Sequence, residues 1–255
     1  MKIRVLGCYG AELSDCNTTG FLINRSVLLD AGTICTALNL SEQRKIRYVL
    51  LSHIHMDHTK GLTSLSENLF AEKKWETVII ISTREILKEL KEHFFNDRIW
   101  PDFTKIPNRR KPLFRLKTIR EGETIEIDGL RVRAFRVNHI VPSVGFLIRE
   151  KNGSLLFSGD TYRTDRIWKA ASQDPCLKAA MIEVSFPNAL EKLAEASKHL
   201  TPDLLFQEFL KIKKPHLPLY IYHVKPRYLS RITRELTRLQ IKGLTLLKDG
   251  LVFEI

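Results

Sequence analysis

An α/β fold of the αββα sandwich type, two mixed β-sheets face to face with helices outside, is predicted by three features of the sequence. Short apolar runs of strand length recur along the whole chain, amphipathic helical patterns separate some of them, and strand runs precede helices in both halves. With 255 residues, 44% of them hydrophobic, the chain can bury a sizeable core. One globular domain over 1–255 is expected, without internal repeats or linker-like stretches.

The strand readings, in order, are Ile3–Leu6, Gly20–Ile23, Ser26–Leu29, Tyr48–Leu51, Thr77–Ile81, Thr124–Ile127, Arg131–Val137, Val144–Ile148, Ser154–Phe157, Ala179–Ile182, Leu219–Tyr222 and Thr245–Leu247, each rich in β-branched, leucine or aromatic residues. Helical spacing of apolar residues marks "TREILKELKEHFF", "NALEKLAEASKHL", "TPDLLFQEFLKI", with Pro202 at a first-turn position, and "KPRYLSRITRELTRLQ". The segment 96–117, "NDRIWPDFTKIPNRRKPLFRLK", is irregular and rich in proline, arginine and aromatics, and reads as an inserted lid.

Forty-one Lys and Arg against 29 Asp and Glu give a net charge of +12, which attracts anions. No basic low-complexity tail or aromatic RNA-binding signature accompanies it. Anionic small molecules, phosphates or nucleic acid are the partners this charge would draw in, with nucleic acid the weaker candidate; a homodimer is compatible with the sequence. Four scattered cysteines without a CxxC pair, the start "MKIRVLGCYG" and the lack of a long apolar run point to reduced thiols, no signal peptide and no membrane span. A cytoplasmic location is expected.

The chemistry concentrates in "LLSHIHMDHTKGL", Leu50 to Leu62. Residues two apart in an extended segment point the same way, so His53 and His55 can grip one ion while Ile54 faces the core. Asp57 and His58 follow where the chain turns into a helix and can address a second ion. Imidazole and carboxylate donors suit zinc, usually as four ligands, and one motif cannot satisfy two ions. Further donors are available at the ends of apolar runs: His139, Asp160 and His223.

Taken together, "SHIHMDHTKGL", His139, "SGDT" (Ser158–Thr161) and His223 resemble the metal-binding motifs of the metallo-β-lactamase superfamily. The resemblance implies the αββα sandwich with a binuclear site between the sheets. His53, His55 and His139 would hold one metal, Asp57, His58 and His223 the other, and Asp160 would bridge them. Two divalent ions are implied, zinc first, with manganese or iron as alternatives. "VLLDAGT" (Val27–Thr33) is similar to an early strand of that family, which gives Asp30 a supporting role behind the ligands.

"IEVSFPN", "SKHLTP", "IYHVKP" and "RIWPDF" together resemble class II cyclic-nucleotide phosphodiesterases over nearly the whole chain. This implies hydrolysis of 3′,5′-cyclic nucleotides (cAMP, cGMP) to 5′-monophosphates by attack of hydroxide bridged between two ions. Related tRNA 3′-end processing nucleases carry a Glu and a later His that work as a pair; Glu183 and His199 occupy those places. The candidate catalytic residues are thus Asp57, Glu183 and His199, with Glu183 orienting His199 and keeping it protonated as proton donor to the leaving oxygen. Trp100 and Phe103 could stack on a base or anchor the insertion, and Arg98, Arg109 and Arg110 could meet phosphate. His93 and His216 are read as surface residues. Met56, Thr59, Thr63, Ser64 and Lys198 depart from the phosphodiesterase pattern. Alternative readings are a tRNA-processing endonuclease, a lactone or ester hydrolase on the same scaffold, and a binding module without catalysis.

Overall fold

The computed structural model describes residues 1–72, 75–151 and 153–255. Two seven-stranded sheets make up the centre. The first is built from β1 (Lys2–Gly7), β2 (Gly20–Ile23), β3 (Val27–Leu29), β4 (Tyr48–Leu50), β5 (Val78–Ser82) and β6 (Phe114–Thr118). The second comprises β7 (Thr124–Ile127), β8 (Leu130–Arg136), β9 (Val144–Glu150), β10 (Gly153–Phe157), β11 (Leu177–Glu183), β12 (Leu219–Tyr222) and β13 (Leu244–Leu246). The last strand, β14 (Val252–Glu254), returns to the edge of the first sheet beside β1.

Each sheet begins as an antiparallel meander and continues by parallel crossovers: β3 to β6 run parallel, as do β10 to β13. The sequence explains the switch. β4 and β5, "YVL" and "VIIIS", are apolar on both faces, as strands covered on both sides must be. β7 alternates exposed and buried residues, leaving one face to solvent.

The helices are α1 (Leu40–Gln43), α2 (Met56–Thr59), α3 (Gly61–Phe70), α4 (Arg84–His93), α5 (Arg166–Gln173), α6 (Glu191–Ser197), α7 (Pro202–Leu210) and α8 (Leu229–Arg238). The four expected helical patterns correspond to α4, α6, α7 and α8. α7 starts as its sequence dictates, with Pro202 in the first turn and the Thr201 hydroxyl accepting from the Leu204 amide. α8 is polar or charged apart from Leu229, Ile232 and Leu236, and it buries the last two, which lie one turn apart. α5 is hidden by its mixed composition but buries Ile167, Trp168 and Ala171.

Two strands escape the sequence reading. Part of the segment 96–117 is not irregular: Phe114–Thr118 is β6, parallel to β5 along five residues. Its charges, Arg115 and Lys117, hid it. β14 is three residues long and too brief to show a period. The rest of the segment is anchored onto α3 and α4. Trp100 Nε1 donates to Ser66 Oγ at 2.9 Å, Phe103 is buried against Phe70 and Phe114, and buried Asp102 pairs with Lys91 and Lys105. These aromatics anchor the segment, and Phe103 is buried.

Between the sheets, Phe21, Phe157 and Tyr222 interlock, with Phe157 and Tyr222 stacked at 5.0 Å and Phe21 edge-on to both. A second apolar layer packs Trp168, Leu204, Leu205 and Ile232 beneath the second sheet. Among the described residues no helix is long and apolar enough to cross a membrane.

Truncating Phe157 opens a cavity where three rings meet. Phe157→Ala is expected to lower unfolding free energy by about 3–5 kcal/mol, read by urea denaturation; a loss under about 1 kcal/mol would show that the sheets do not depend on this contact.

Candidate metal centre

All the predicted ligands arrive at one end of the sandwich, where β4, β8, β10, β11 and β12 finish. Loops at the carboxyl ends of parallel strands are where α/β sheets build sites. After β4 the chain continues extended through Ser52 to His55, then winds into α2, which carries Asp57 and His58. His139 follows β8, Asp160 follows β10, Glu183 closes β11 and His223 follows β12. His199 comes two residues after α6.

The side chains converge. His53 Nε2 stands 3.1 Å from His55 Nδ1, which is 3.3 Å from His139 Nε2. His58 Nε2 is 3.2 Å from His223 Nε2, itself 3.1 Å from Asp57 Oδ2. Asp160 Oδ2 lies between the two groups, 3.7, 3.3 and 3.1 Å from the Nε2 atoms of His53, His58 and His223. Two of the donor sets whose atoms lie within 4.8 Å of one another are His53–His55–His139 and Asp57–His58–His223. Three further sets, His53–His58–Asp160, His139–Asp160–His199 and Glu183–His199–His223, overlap them.

The arrangement fits a cation. A carbonyl can only accept, so the 3.0 Å contact of His139 Nδ1 with the Lys198 oxygen requires a proton on Nδ1. His58 Nδ1 likewise donates to Asp30 Oδ2 at 2.7 Å. Ser52 Oγ donates to the same oxygen at 2.7 Å and so accepts from His53 Nδ1 at 2.9 Å. The inward Nε2 atoms of neutral His53 and His139 therefore carry lone pairs, while the carboxylates around His58 favour positive charge at its Nε2, a place that a cation can take. These nitrogens face a fully buried carboxylate, Asp160, neither of whose oxygens has an aligned hydrogen bond among the described residues. An unmatched buried charge of this kind is expensive. A divalent ion answers both lone pairs and carboxylate.

Electrostatics lead the same way. Burial holds His53 well below the ordinary histidine range and His139 down at about 4, so both stay neutral and ready to ligate. Burial also opposes charge on His58, yet Asp160, Asp30 and Asp57 outweigh it and drive its pKa up. Positive charge is thus in demand beside His58 Nε2. Burial works against ionised Asp160 too, but His223 and His58 hold it low.

Glu183 and His199 sit beside this cluster. His199 Nδ1 contacts Glu183 Oε1 at 2.8 Å, and both residues are buried. Burial first, then Asp160, raises the Glu183 carboxyl to about 8, while burial lowers His199. The shared proton is thereby drawn toward the carboxyl, against the expectation that Glu183 keeps the imidazole charged. Ser185 is the residue that sequence reasoning missed. Its hydroxyl donates to Glu183 Oε2 at 3.0 Å and accepts from His223 Nδ1 at 2.8 Å, joining the pair to a ligand. Its place two residues after Glu183 was the available signal.

Two of the departures from the phosphodiesterase pattern, Thr59 and Lys198, find local explanations. Thr59 Oγ1 donates to the His55 carbonyl at 3.0 Å and braces the start of α2. Lys198 ends α6 in the left-handed region, φ 58°, which turns its carbonyl to His139. Gly32 is required where it stands: a Cβ there would lie 1.9 Å from the Asp57 carbonyl oxygen. His93 and His216 are exposed and away from the cluster, as read from the sequence.

Two seven-stranded mixed sheets flanked by helices, with this histidine–aspartate cluster at their strand ends, define a metallo-β-lactamase fold of the kind found in class II cyclic-nucleotide phosphodiesterases and their relatives. More particularly, the profile of the family described as "Anti-Pycsar protein Apyc1" matches residues 1–197, and the chain belongs to that family. The matched span stops short of His199 and His223. Among curated relatives, the chain is 26% identical to a probable 3′,5′-cyclic-nucleotide phosphodiesterase of Yersinia pestis over 89% of its length and 79% of that protein's. It is 28% identical to a ribonuclease Z of Metallosphaera sedula, over 60% of this chain and 50% of that one. Among solved structures, unliganded yeast PDE1 superposes with a TM-score of 0.83 at 18% identity, covering 100% of this chain and 99% of the yeast chain. The short form of human tRNase Z gives 0.72 at 18% identity, with 100% and 99% covered.

Asp160→Ala is expected to abolish tight zinc binding in calorimetric titration, and Asp30→Asn to weaken it about 10–100-fold, the usual effect of releasing a ligand histidine from its partner. Unchanged zinc affinity in both variants would show that the lone pairs are met in some other way.

Proposed function

We propose that this chain is one hydrolase domain, a phosphodiesterase that uses two divalent metal ions, zinc first and manganese or iron as alternatives, to hydrolyse 3′,5′-cyclic nucleotides such as cAMP and cGMP to 5′-monophosphates. His53, His55 and His139 would hold one ion, Asp57, His58 and His223 the other, with Asp160 shared. Bound there, such ions supply Lewis acidity at a phosphoryl oxygen and acidify water. The observation that carries the reading is the Glu183–His199 pair, a buried proton carrier 2.8 Å across, beside the cluster.

Ester cleavage at phosphorus needs a proton for the departing O3′. His199 binds Glu183 through Nδ1, which leaves Nε2 on the opposite side of the ring. An Nε2 proton is present whether the shared proton rests on Nδ1 or on Glu183, so the drift toward the carboxyl does not disarm the donor. As water oxygen bonds to phosphorus and the P–O3′ bond breaks, His199 passes its Nε2 proton to O3′ and takes the Glu183 proton at Nδ1. Asp57, half-exposed and held low by His58 and His223 against the effect of burial, accepts the proton of the attacking water. Ser185 keeps Glu183 from rotating away.

The ribonuclease Z relatives support a second reading, RNA cleavage by the same residues. Incubating metal-loaded protein with cAMP, cGMP and a precursor tRNA separates the two: 5′-AMP or 5′-GMP is expected, and tRNA cleavage without nucleotide turnover would replace the first reading by the second. His199→Ala is expected to retain its metal and to slow turnover about 10²–10⁴-fold, the scale of a lost general acid; elemental analysis beside kinetics checks both. Intact turnover in that variant would favour ester or lactone chemistry instead.

A further inference from the structure

One cation near the centre is left without a task. Lys225 stands two residues beyond His223, with its backbone extended (φ −70°, ψ 120°) ahead of Pro226, which restricts it to such a conformation. Its ammonium donates to the Gly10 carbonyl at 3.2 Å and lies 5.3 Å from the centre of the Phe186 ring. The same ring stands 5.9 Å from the ring of His199, so cation and proton carrier share Phe186 as a neighbour. Lys225 is half-buried and pairs with no carboxylate among the described residues. An ammonium offers three donors, and one is committed.

The support is built in. Gly10 lies directly on His223, where a Cβ would come within 2.7 Å of the His223 carbonyl oxygen and 2.8 Å of its ring. Only glycine lets this loop press so close, and its amide bonds Val224 at 3.2 Å. The loop that touches a proposed ligand thus also holds the ammonium.

We propose that Lys225 is a phosphate-binding residue, its ammonium meeting a non-bridging oxygen of the nucleotide phosphate beside His199. This rests on the phosphodiesterase reading for its substrate, a phosphodiester anion whose non-bridging oxygens accept from an ammonium. Lysine serves such a place as a compact, movable point charge.

The test uses zinc-loaded full-length protein and the variants Lys225→Ala and Lys225→Arg. Affinity for 5′-AMP is measured by calorimetry, together with kcat and KM for cAMP, zinc content and melting temperature. Lys225→Ala should weaken AMP binding and lower kcat/KM about 10–100-fold, the effect of losing one charge-assisted hydrogen bond. Zinc content should be unchanged, and the fall of AMP affinity with salt should be shallower. Lys225→Arg should restore most of the loss. Undiminished AMP affinity in Lys225→Ala overturns the proposal, and so does a loss of affinity that tracks a loss of zinc, which would make Lys225 a tether for the Gly10 loop. Should wild-type protein bind AMP yet leave cyclic nucleotides intact, the functional reading fails while AMP binding still decides the role of Lys225.

Discussion

The carboxylate of Asp160 sets the terms for the whole molecule. It is buried without an aligned hydrogen bond and is surrounded by the inward nitrogens of three imidazoles. Such a group is stable only if opposite charge comes to it. The surrounding structure is arranged to deliver that charge and to hold the recipients still. Ser52, Asp30, Lys198 and Ser185 each bind the outward nitrogen of one histidine, so the inward nitrogen is fixed in both tautomer and direction.

The two sheets make this possible. Each contributes donors from the same end, the first through β4 and α2, the second through β8, β10, β11 and β12. The interlocked rings of Phe21, Phe157 and Tyr222 fix one sheet against the other. Tyr222 precedes His223, and its hydroxyl donates to the Gly159 carbonyl at 2.9 Å, next to Asp160. Core packing and donor geometry are therefore continuous along the backbone.

Much of this was legible in the sequence, and for physical reasons. Donor residues at the ends of apolar runs announce themselves, because a strand end is where a side chain can leave the core and still be held by it. His53, His55, Asp57, His58, His139, Asp160 and His223 follow that pattern, and the distances now connect them. β6 was obscured because an edge strand carries charges, and β14 because three residues show no period. Ser185 and the Lys198 carbonyl were invisible for a different reason. A hydroxyl or a main-chain oxygen that orients another group has no signature beyond adjacency, and its partner is chosen by tertiary folding.

Lys198 carries an implication of its own. A lysine with φ 58° gives up about 1 kcal/mol relative to glycine. Its carbonyl steadies His139, and the next residue in the chain is His199. One peptide plane thus gears a ligand to the proposed proton carrier: a rocking of α6 that withdraws the carbonyl must swing the neighbouring ring as well. On the proposed reading, metal capture and proton delivery would share this one joint, so that shifting the helix would retune both together.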